Sequence, residues 1–317
     1  MGTMKTQPLG TTDLISTRLS FGNMRCVETW NFAEATPEKR AKGVKAHIAA
    51  FEAGYTLFDT ADIYCRGACE QVLGQTLREV PGMREKIIVA TKCGIRFGGD
   101  PVASSPHRYD FSAEHILWSC DNSLKNLGTE TIDLYMLHRP DLLMNPPEIA
   151  KAFEKLKAAG KVRHFGVSNF LPSMVNALAA HLTVPIVVNQ VEIHPGRLDC
   201  LVDGTLDQCI EKNITPLSWS PLGGGWLGAG RSVKADDPKK EIKEKVIEVL
   251  DATAKEHGVS RTVIALAWLL KHPSKIIPIV GSNNPDNIRD AAKADGVELT
   301  RDQWYRILLA ARGKALP

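Results

Sequence analysis

Short apolar runs alternate along the chain with longer amphipathic stretches, the pattern of parallel strands each covered by the helix that follows it. The apolar runs predict strands over residues 17–21, 55–59, 86–91, 132–138, 162–167, 186–191, 215–219 and 276–280. The amphipathic stretches predict helices over 37–53, 69–79, 112–127, 147–159, 171–181, 203–212, 239–257, 260–271 and 286–294. Pro37 fits a first helical turn, and Ser112 is a plain N-cap because His115 rather than Glu stands three residues on. No Pro/Gly/Ser linker, charge block or short repeat divides the eight units. They predict an α/β fold, one closed (β/α)8 TIM barrel over residues 1–317 rather than two doubly wound domains, with a C-terminal helix at 301–311 packed over it.

The composition, 44% hydrophobic and 24% charged over 317 residues, excludes global disorder. The 39 Lys and Arg nearly balance the 36 Asp and Glu, so a net charge of +3 speaks against bulk attraction to nucleic acid or an anionic membrane. The seven cysteines, Cys26, Cys65, Cys69, Cys93, Cys120, Cys200 and Cys209, are odd in number and form no Cys-x-x-Cys pair, as expected of reduced thiols. Residues 1–10 hold one lysine and no apolar core, so no signal peptide and a cytoplasmic location are expected. Residues 164–191 lack Asp, Glu, Lys and Arg, yet Asn169, Pro172, Asn176, Pro185 and Asn189 make the stretch read as buried strand, helix and strand rather than a membrane span.

In such a barrel the reactive groups stand on the loops after the strands. Strand two leads into Asp59 and Tyr64, strand three into Lys92, and strand four into His138, so four groups converge on one rim. Each alone has an ordinary role: Asp59 a turn or cap residue, Tyr64 an amphipathic rim side chain, Lys92 a solvated strand end, His138 a hydrogen-bonded core histidine. Together they suit proton chemistry at a carbonyl. Lys92 is costly to desolvate without an anion, and Asp59 on the neighbouring strand is the natural counterion. A charged Lys92 is expected to lower the Tyr64 pKa from about 10, bringing the phenol into range as a proton donor. A neutral His138 is suited to hydrogen-bond and orient the same carbonyl.

The stretches Phe58-Asp59-Thr60-Ala61-Asp62-Ile63-Tyr64, Gly160-Lys161-Val162-Arg163-His164-Phe165-Gly166-Val167-Ser168-Asn169-Phe170 and Ser218-Trp219-Ser220-Pro221-Leu222-Gly223 resemble signatures of the aldo-keto reductases, and the likeness spans nearly the whole chain. His138-Arg139-Pro140-Asp141, Asp203-Gly204-Thr205-Leu206-Asp207-Gln208 and Leu299-Thr300-Arg301-Asp302-Gln303-Trp304 resemble the bacterial YdhF-like branch. The resemblance implies an oxidoreductase built on a barrel without a Rossmann domain, in which hydride passes between a nicotinamide and a carbonyl carbon while Tyr64 protonates the oxygen. It implies that Lys92 and Asp59 tune Tyr64 and that His138 orients the substrate.

It further implies that Ser168, Asn169 and Gln190 hold the nicotinamide carboxamide and that Trp219 stacks on the ring, a core tryptophan being the plain alternative. Asn23 and Met24 are expected near the same ring, and Ser220, Leu222 and Gly223 extend the cofactor set past strand seven. There Gly223, Gly225 and Gly228 satisfy G-x-G-x-x-G, but no helix follows at once and no suitably placed acid lies downstream, so the run is not a dinucleotide fingerprint. The resemblance implies instead a flexible loop over the pyrophosphate, with Arg231 as a further partner. After strand eight, members that prefer NADPH carry basic residues for the 2′-phosphate, whereas Gly281 and Asn287 stand at those positions here. Ser282, Asn283 and Asn284 near a helix start remain as phosphate contacts, with Asp290 in the set and Arg289 the nearest guanidinium. NADP(H) is favoured with reduced discrimination, NAD(H) competes with it, and no metal is expected.

Trp30, Asn31, Phe32, Cys65, Arg66, Arg139 and Trp226 are the expected pocket residues, a mixture compatible with a sugar or other hydroxylated aldehyde. The partner is therefore a small carbonyl or sugar molecule, with no nucleic acid and no membrane, and the oligomeric state is open. Two rivals stand beside the reductase. A cofactor-binding regulatory subunit with slow turnover is disfavoured by the intact set of four residues. A lyase forming a Schiff base through Lys92 is disfavoured because Asp59 keeps that amine protonated.

Overall fold

The computed structural model describes residues 4–316; residues 1–3 and 317, which include both ends of the expected domain and part of the segment read for a signal peptide, lie outside the described residues. Eight parallel strands close into a barrel: β1 (Ser20–Gly22), β2 (Leu57–Asp59), β3 (Ile88–Cys93), β4 (Ile132–Leu137), β5 (Val162–Ser168), β6 (Ile186–Glu192), β7 (Thr215–Trp219) and β8 (Ile277–Val280). They follow one another round the ring in chain order, and β8 pairs with β1 through Ile279 beside Ser20 and Val280 beside Phe21. The expected (β/α)8 TIM barrel is therefore the observed fold.

Among the described residues ten α-helices accompany the strands: α1 (Pro37–Glu52), α2 (Ala68–Glu79), α3 (Ala113–Leu127), α4 (Pro146–Ala158), α5 (Pro172–Ala179), α6 (Thr205–Lys212), α7 (Lys240–His257), α8 (Arg261–Leu270), α9 (Pro285–Ala292) and α10 (Arg301–Arg312). The side chains of Ser112 and Ser260 accept from backbone N–H groups at the starts of α3 and α8, satisfying donors that the helix itself leaves free. α10 is the expected C-terminal helix. It begins in a capping box between Thr300 and Gln303 and is pinned by stacking of Trp304 on Trp268, ring centroids 5.0 Å apart. Each of those indoles donates its N–H to the other residue's carbonyl, at 3.1 and 3.0 Å.

The barrel interior is filled by a cluster containing Leu57, Ile88, Leu134, Met136, Val188, Leu217 and Ile277, while a larger cluster fills the layer between strands and helices, where Phe153 stacks on Phe165 at 4.0 Å. The floor is closed by an antiparallel hairpin, Thr6–Pro8 with Ile15–Thr17, whose Leu9 and Leu14 join the interior cluster. This corrects the strand expected at 17–21. The run is split: the Thr17 hydroxyl donates to Leu19 O at 2.9 Å, and Thr17 N donates to the Thr56 hydroxyl at 2.8 Å, so side chains take bonds that a continuous ladder would need. Residues 164–191 are β5, α5 and β6 as expected, and among the described residues no helix is long and apolar enough to cross a membrane.

The α2–α3 contact depends on Gly74. A Cβ there would stand 2.5 Å from Leu127 O and 2.7 Å from Asn126 O, backbone atoms that cannot turn aside. Alanine would gain roughly 1 kcal/mol of helix propensity, but relieving the overlap is expected to cost more, about 1–3 kcal/mol. Gly74→Ala should therefore be less stable in urea denaturation; equal or greater stability would mean that the two helices separate freely.

Candidate active site

Backbone register brings the four rim groups together. Asp59 ends β2, Lys92 lies inside β3 rather than beyond its end, His138 directly follows β4, and Tyr64 stands on the loop between β2 and α2. Lys92 is fully buried, and its ammonium donates to Asp59 Oδ2 at 2.8 Å, Thr60 O at 2.7 Å and Tyr64 Oη at 3.2 Å. All three ammonium hydrogens thus have an acceptor, which is what allows a charge to be buried at all. The other Asp59 oxygen accepts from Gln190 Nε2 at 2.8 Å, so β2, β3 and β6 are tied at one point. Because Tyr64 accepts from Lys92, its own hydrogen is left for another partner. The rings of Tyr64 and His138 meet edge to face with centroids 5.6 Å apart, and both line a cavity of about 570 Å³ at the C-terminal mouth of the barrel.

The electrostatics differ from the sequence expectation in one respect. Burial raises the Tyr64 pKa above its ordinary value, and the neighbouring Lys92 only partly offsets this, so the expected lowering is not the net result. Burial alone would pull the Lys92 pKa down, but Asp59 and Tyr64 outweigh it and the ammonium is held charged. Burial, with Lys92 and Arg139 adding to it, drives the His138 pKa well below its usual range, leaving a neutral imidazole whose Nδ1 has no hydrogen-bond partner among the described residues.

A second group of residues continues the rim. Ser168 Oγ donates to Gln190 O at 3.0 Å, Asn169 Nδ2 donates to Ser168 Oγ at 2.8 Å, and Trp219 Nε1 donates to Asn169 Oδ1 at 2.9 Å. Several of these loops pass through the left-handed region: Cys65 (φ 47) and Arg66 (φ 51) after Tyr64, Asn169 (φ 62) after Ser168, and Ser220 (φ 48) after Trp219. Such conformations cost about 1–3 kcal/mol outside glycine and persist only where surrounding contacts enforce them.

Met24, Ser168, Asn169, Gln190, Trp219, Ser220, Leu222 and Gly281 line the cavity. Asn23 lies beneath it, its N–H donating to Asp59 O at 2.9 Å and its buried amide group unpartnered. Gly223 belongs to a short 3-10 turn, Gly223–Gly225, and the next helix starts only at Lys240. Ser282, Asn283, Asn287 and Asp290 do not line the cavity. Asn283 Nδ2 donates to Arg25 O at 2.7 Å, Ser282 Oγ accepts from Asn284 N at 3.2 Å, Asn287 is exposed on α9, and Asp290 accepts from Lys293 at 3.0 Å and from Ser260. Arg289 turns away, to Asp286 at 3.5 Å and Glu52 at 3.9 Å. Among the described residues no cluster of three or more His, Cys, Asp or Glu is arranged to hold a metal, and all seven cysteines are free and buried.

The profile of the Aldo/keto reductase family matches residues 18–310. The chain belongs to the aldo/keto reductase family. It is 41% identical over 296 residues, 91% of each chain, to a 6-dehydroglucose reductase of Novosphingobium aromaticivorans. It is 39% identical over 267 residues to the oxidoreductase YdhF of Escherichia coli, covering 83% of this chain and 85% of that one, in keeping with the YdhF-like branch. Among solved structures, the thermostable aldo-keto reductase Tm1743 superposes with a TM-score of 0.81 at 24% identity, over 97% of this chain and 100% of the other, a likeness of fold.

In this aldo-keto reductase the substrate side of the cavity differs from the sequence expectation. Of the seven pocket residues expected there, only Trp30 and Arg139 line it. Asn31 caps a 3-10 turn, Phe32 lies under Arg40, Arg66 stacks on Phe97, Cys65 is buried, and Trp226 packs against His194 and Lys243. Their place is taken by Ile95, Phe97, His107 and Tyr109 from a two-stranded hairpin between β3 and α3, Ile95–Arg96 with Arg108–Tyr109, which the apolar periodicity did not reveal. Gly94 at φ 104 turns the chain into it, with the Phe111 ring 2.2 Å from where a Cβ would be.

The residues present suit the nicotinamide cofactor that the family uses. Trp219 offers an aromatic face, and among the described residues Gln190 Oε1 has no partner and the buried amide of Asn23 is unsatisfied. Replacing Lys92 by Met would leave Asp59 buried without its counterion, a change expected to cost about 3–5 kcal/mol. Urea denaturation of Lys92→Met should show that loss, and the absorbance titration of Tyr64 should move to higher pH. A stable variant with an unmoved phenol would mean that Asp59 is solvated.

Proposed function

We propose that the protein is an NAD(P)H-dependent reductase of aldehydes, with hydroxylated aldehydes such as aldose sugars as its substrate class and Tyr64 as general acid/base. The observation that carries this reading is the fully bonded Lys92 ammonium, which orients the Tyr64 hydroxyl while leaving its proton free to donate. A bound nicotinamide supplies the hydride. Tyr64 Oη carries the proton that the carbonyl oxygen takes up, and runs the reverse transfer when an alcohol is oxidised. Neutral His138 donates a hydrogen bond to the same oxygen and fixes the carbonyl plane, and Lys92 with Asp59 holds Tyr64 in position. Ser168, Asn169 and Gln190 hold the carboxamide, Trp219 the ring face, and Asn23, Met24, Ser220, Leu222 and Gly223 the neighbouring part of the cofactor.

The sugar reading is supported by aromatic walls at Trp30, Phe97 and Tyr109 and by the name of the 6-dehydroglucose reductase relative. NADP(H) remains the first choice by a small margin. Gly281 and Asn287 offer no charge and Arg289 is ion-paired, which leaves Ser282, the α9 start and Arg25 at the cavity edge for a 2′-phosphate. Free, buried thiols suit the cytoplasmic location expected from the sequence.

Tyr64→Phe is expected to lower kcat at least about a thousandfold while cofactor affinity, read by fluorescence quenching, stays within about twofold. Persistence of turnover would remove Tyr64 from the mechanism, and binding without turnover in the unaltered protein would favour a regulatory subunit. The dissociation constants of NADPH and NADH should lie within about tenfold, roughly 1.4 kcal/mol, and tighter NADH would reverse the order.

The pH dependence follows from the two shifts. The raised Tyr64 pKa keeps the acid protonated through neutrality, so reduction should hold steady from about pH 6 to 8 and fall only in alkali, while alcohol oxidation rises with pH. The lowered His138 pKa keeps the imidazole neutral over that range. An acid limb near the usual histidine value that disappears in His138→Asn would contradict a neutral imidazole.

A further inference from the structure

Arg139 has no use in the chemistry described so far. It follows His138 directly, is partly buried, and lines the cavity with its guanidinium carbon 5.1 Å from the centre of the Trp219 ring. It forms no salt bridge, and its side chain no hydrogen bond, among the described residues. Among the described residues the only carboxylate lining the cavity is Asp59, and both of its oxygens are committed, one to Lys92 and one to Gln190. Lys92 and Asp59 cancel, His138 is held neutral, and two unpaired guanidinium groups are left on the cavity wall, exposed Arg25 and half-buried Arg139. A half-buried guanidinium with no anion to face it carries a desolvation cost that a bound anion would offset.

The topology sets that anion apart from the cofactor phosphates. The phosphate-facing part of the cofactor set runs from the loop after β7 to the loop after β8, where Arg25 is the nearby cation, and β4, after which Arg139 stands, lies opposite β8 in the ring of eight. Arg139 therefore faces the substrate side, together with the Ile95–Arg96 hairpin. One unpaired guanidinium balances one negative charge and matches the two oxygens of a carboxylate, whereas a phosphate dianion would call for a second cation.

We propose that Arg139 binds a carboxylate on the substrate, a few carbons from the reacting carbonyl, so that the enzyme selects acidic aldehydes over neutral ones of the same length. This rests on the reductase reading and narrows its substrate class. The test compares kcat/KM for succinate semialdehyde and butanal, and for D-glucuronate and D-glucose, in the unaltered enzyme, Arg139→Gln and Arg139→Lys. The acid-to-neutral ratio should favour the acid by about ten- to hundredfold, fall to near one in Arg139→Gln, and recover in part in Arg139→Lys. A ratio near or below one in the unaltered enzyme, or a ratio that survives Arg139→Gln, overturns the proposal. Should no aldehyde turn over, the reductase reading fails by itself and calorimetry with succinate decides the anion site. Binding weakened by Arg139→Gln sustains it, and no binding, or binding indifferent to the substitution, refutes it.

Discussion

The buried Lys92–Asp59 pair is the constraint on which the mouth of the barrel is built. An ammonium with no exposed surface survives only if every hydrogen finds an acceptor and a counterion is at hand. Those acceptors come from β2 and from the loop beyond it, so the path of residues 59–64 is dictated by the lysine as much as by its own sequence. Gln190, far along the chain, closes the other side of the carboxylate. Removing the charge would therefore disturb the fold and the position of Tyr64 together, and stability and chemistry cannot be separated at this point.

The same economy explains why strain collects on the rim. Strand ends are set by the barrel register, yet Ser168 and Trp219 at the ends of their strands and Tyr64 on the loop after β2 all line one cavity. The chain accommodates this by turning left-handed immediately afterwards, at Cys65, Asn169 and Ser220. Asparagine tolerates that region, but cysteine and serine gain nothing from it locally. The Cys65 conformation is maintained by packing beneath it, within the cluster formed by Cys26, Cys69 and Val72.

Much of this was legible from residue patterns, for physical reasons that also mark the limits. Strands buried on both faces read as unbroken apolar runs, so β4, β6 and β7 were located almost to the residue, and polar groups at their ends stood out against that background. The run at 17–21 misled because hydroxyl bonds of Thr17 break a strand without altering its hydropathy. The hairpin after β3 escaped altogether: its strands are two residues long and its apolar members face a cavity, so no period could form. The direction of the Tyr64 shift was missed for a related reason. Sequence names the neighbouring charge, whereas the opposing effect of burial belongs to the folded chain alone.

Charge on the rim is distributed by strand rather than by segment. Arg25, after β1, stands near the loop that follows β8, to which Asn283 ties its backbone, while Arg139 stands across the mouth after β4, with the neutralised Lys92–Asp59 pair between them. A ligand with negative charge at one end only would leave the other guanidinium without an anion. The arrangement suits the proposed reaction, in which two ligands would meet head to head, each bringing its own anion to one side, with the uncharged reacting atoms over Tyr64 and His138. A barrel provides this geometry because its strands point their ends at a common axis, so groups far apart along the chain face one another across a space small enough for a single reaction.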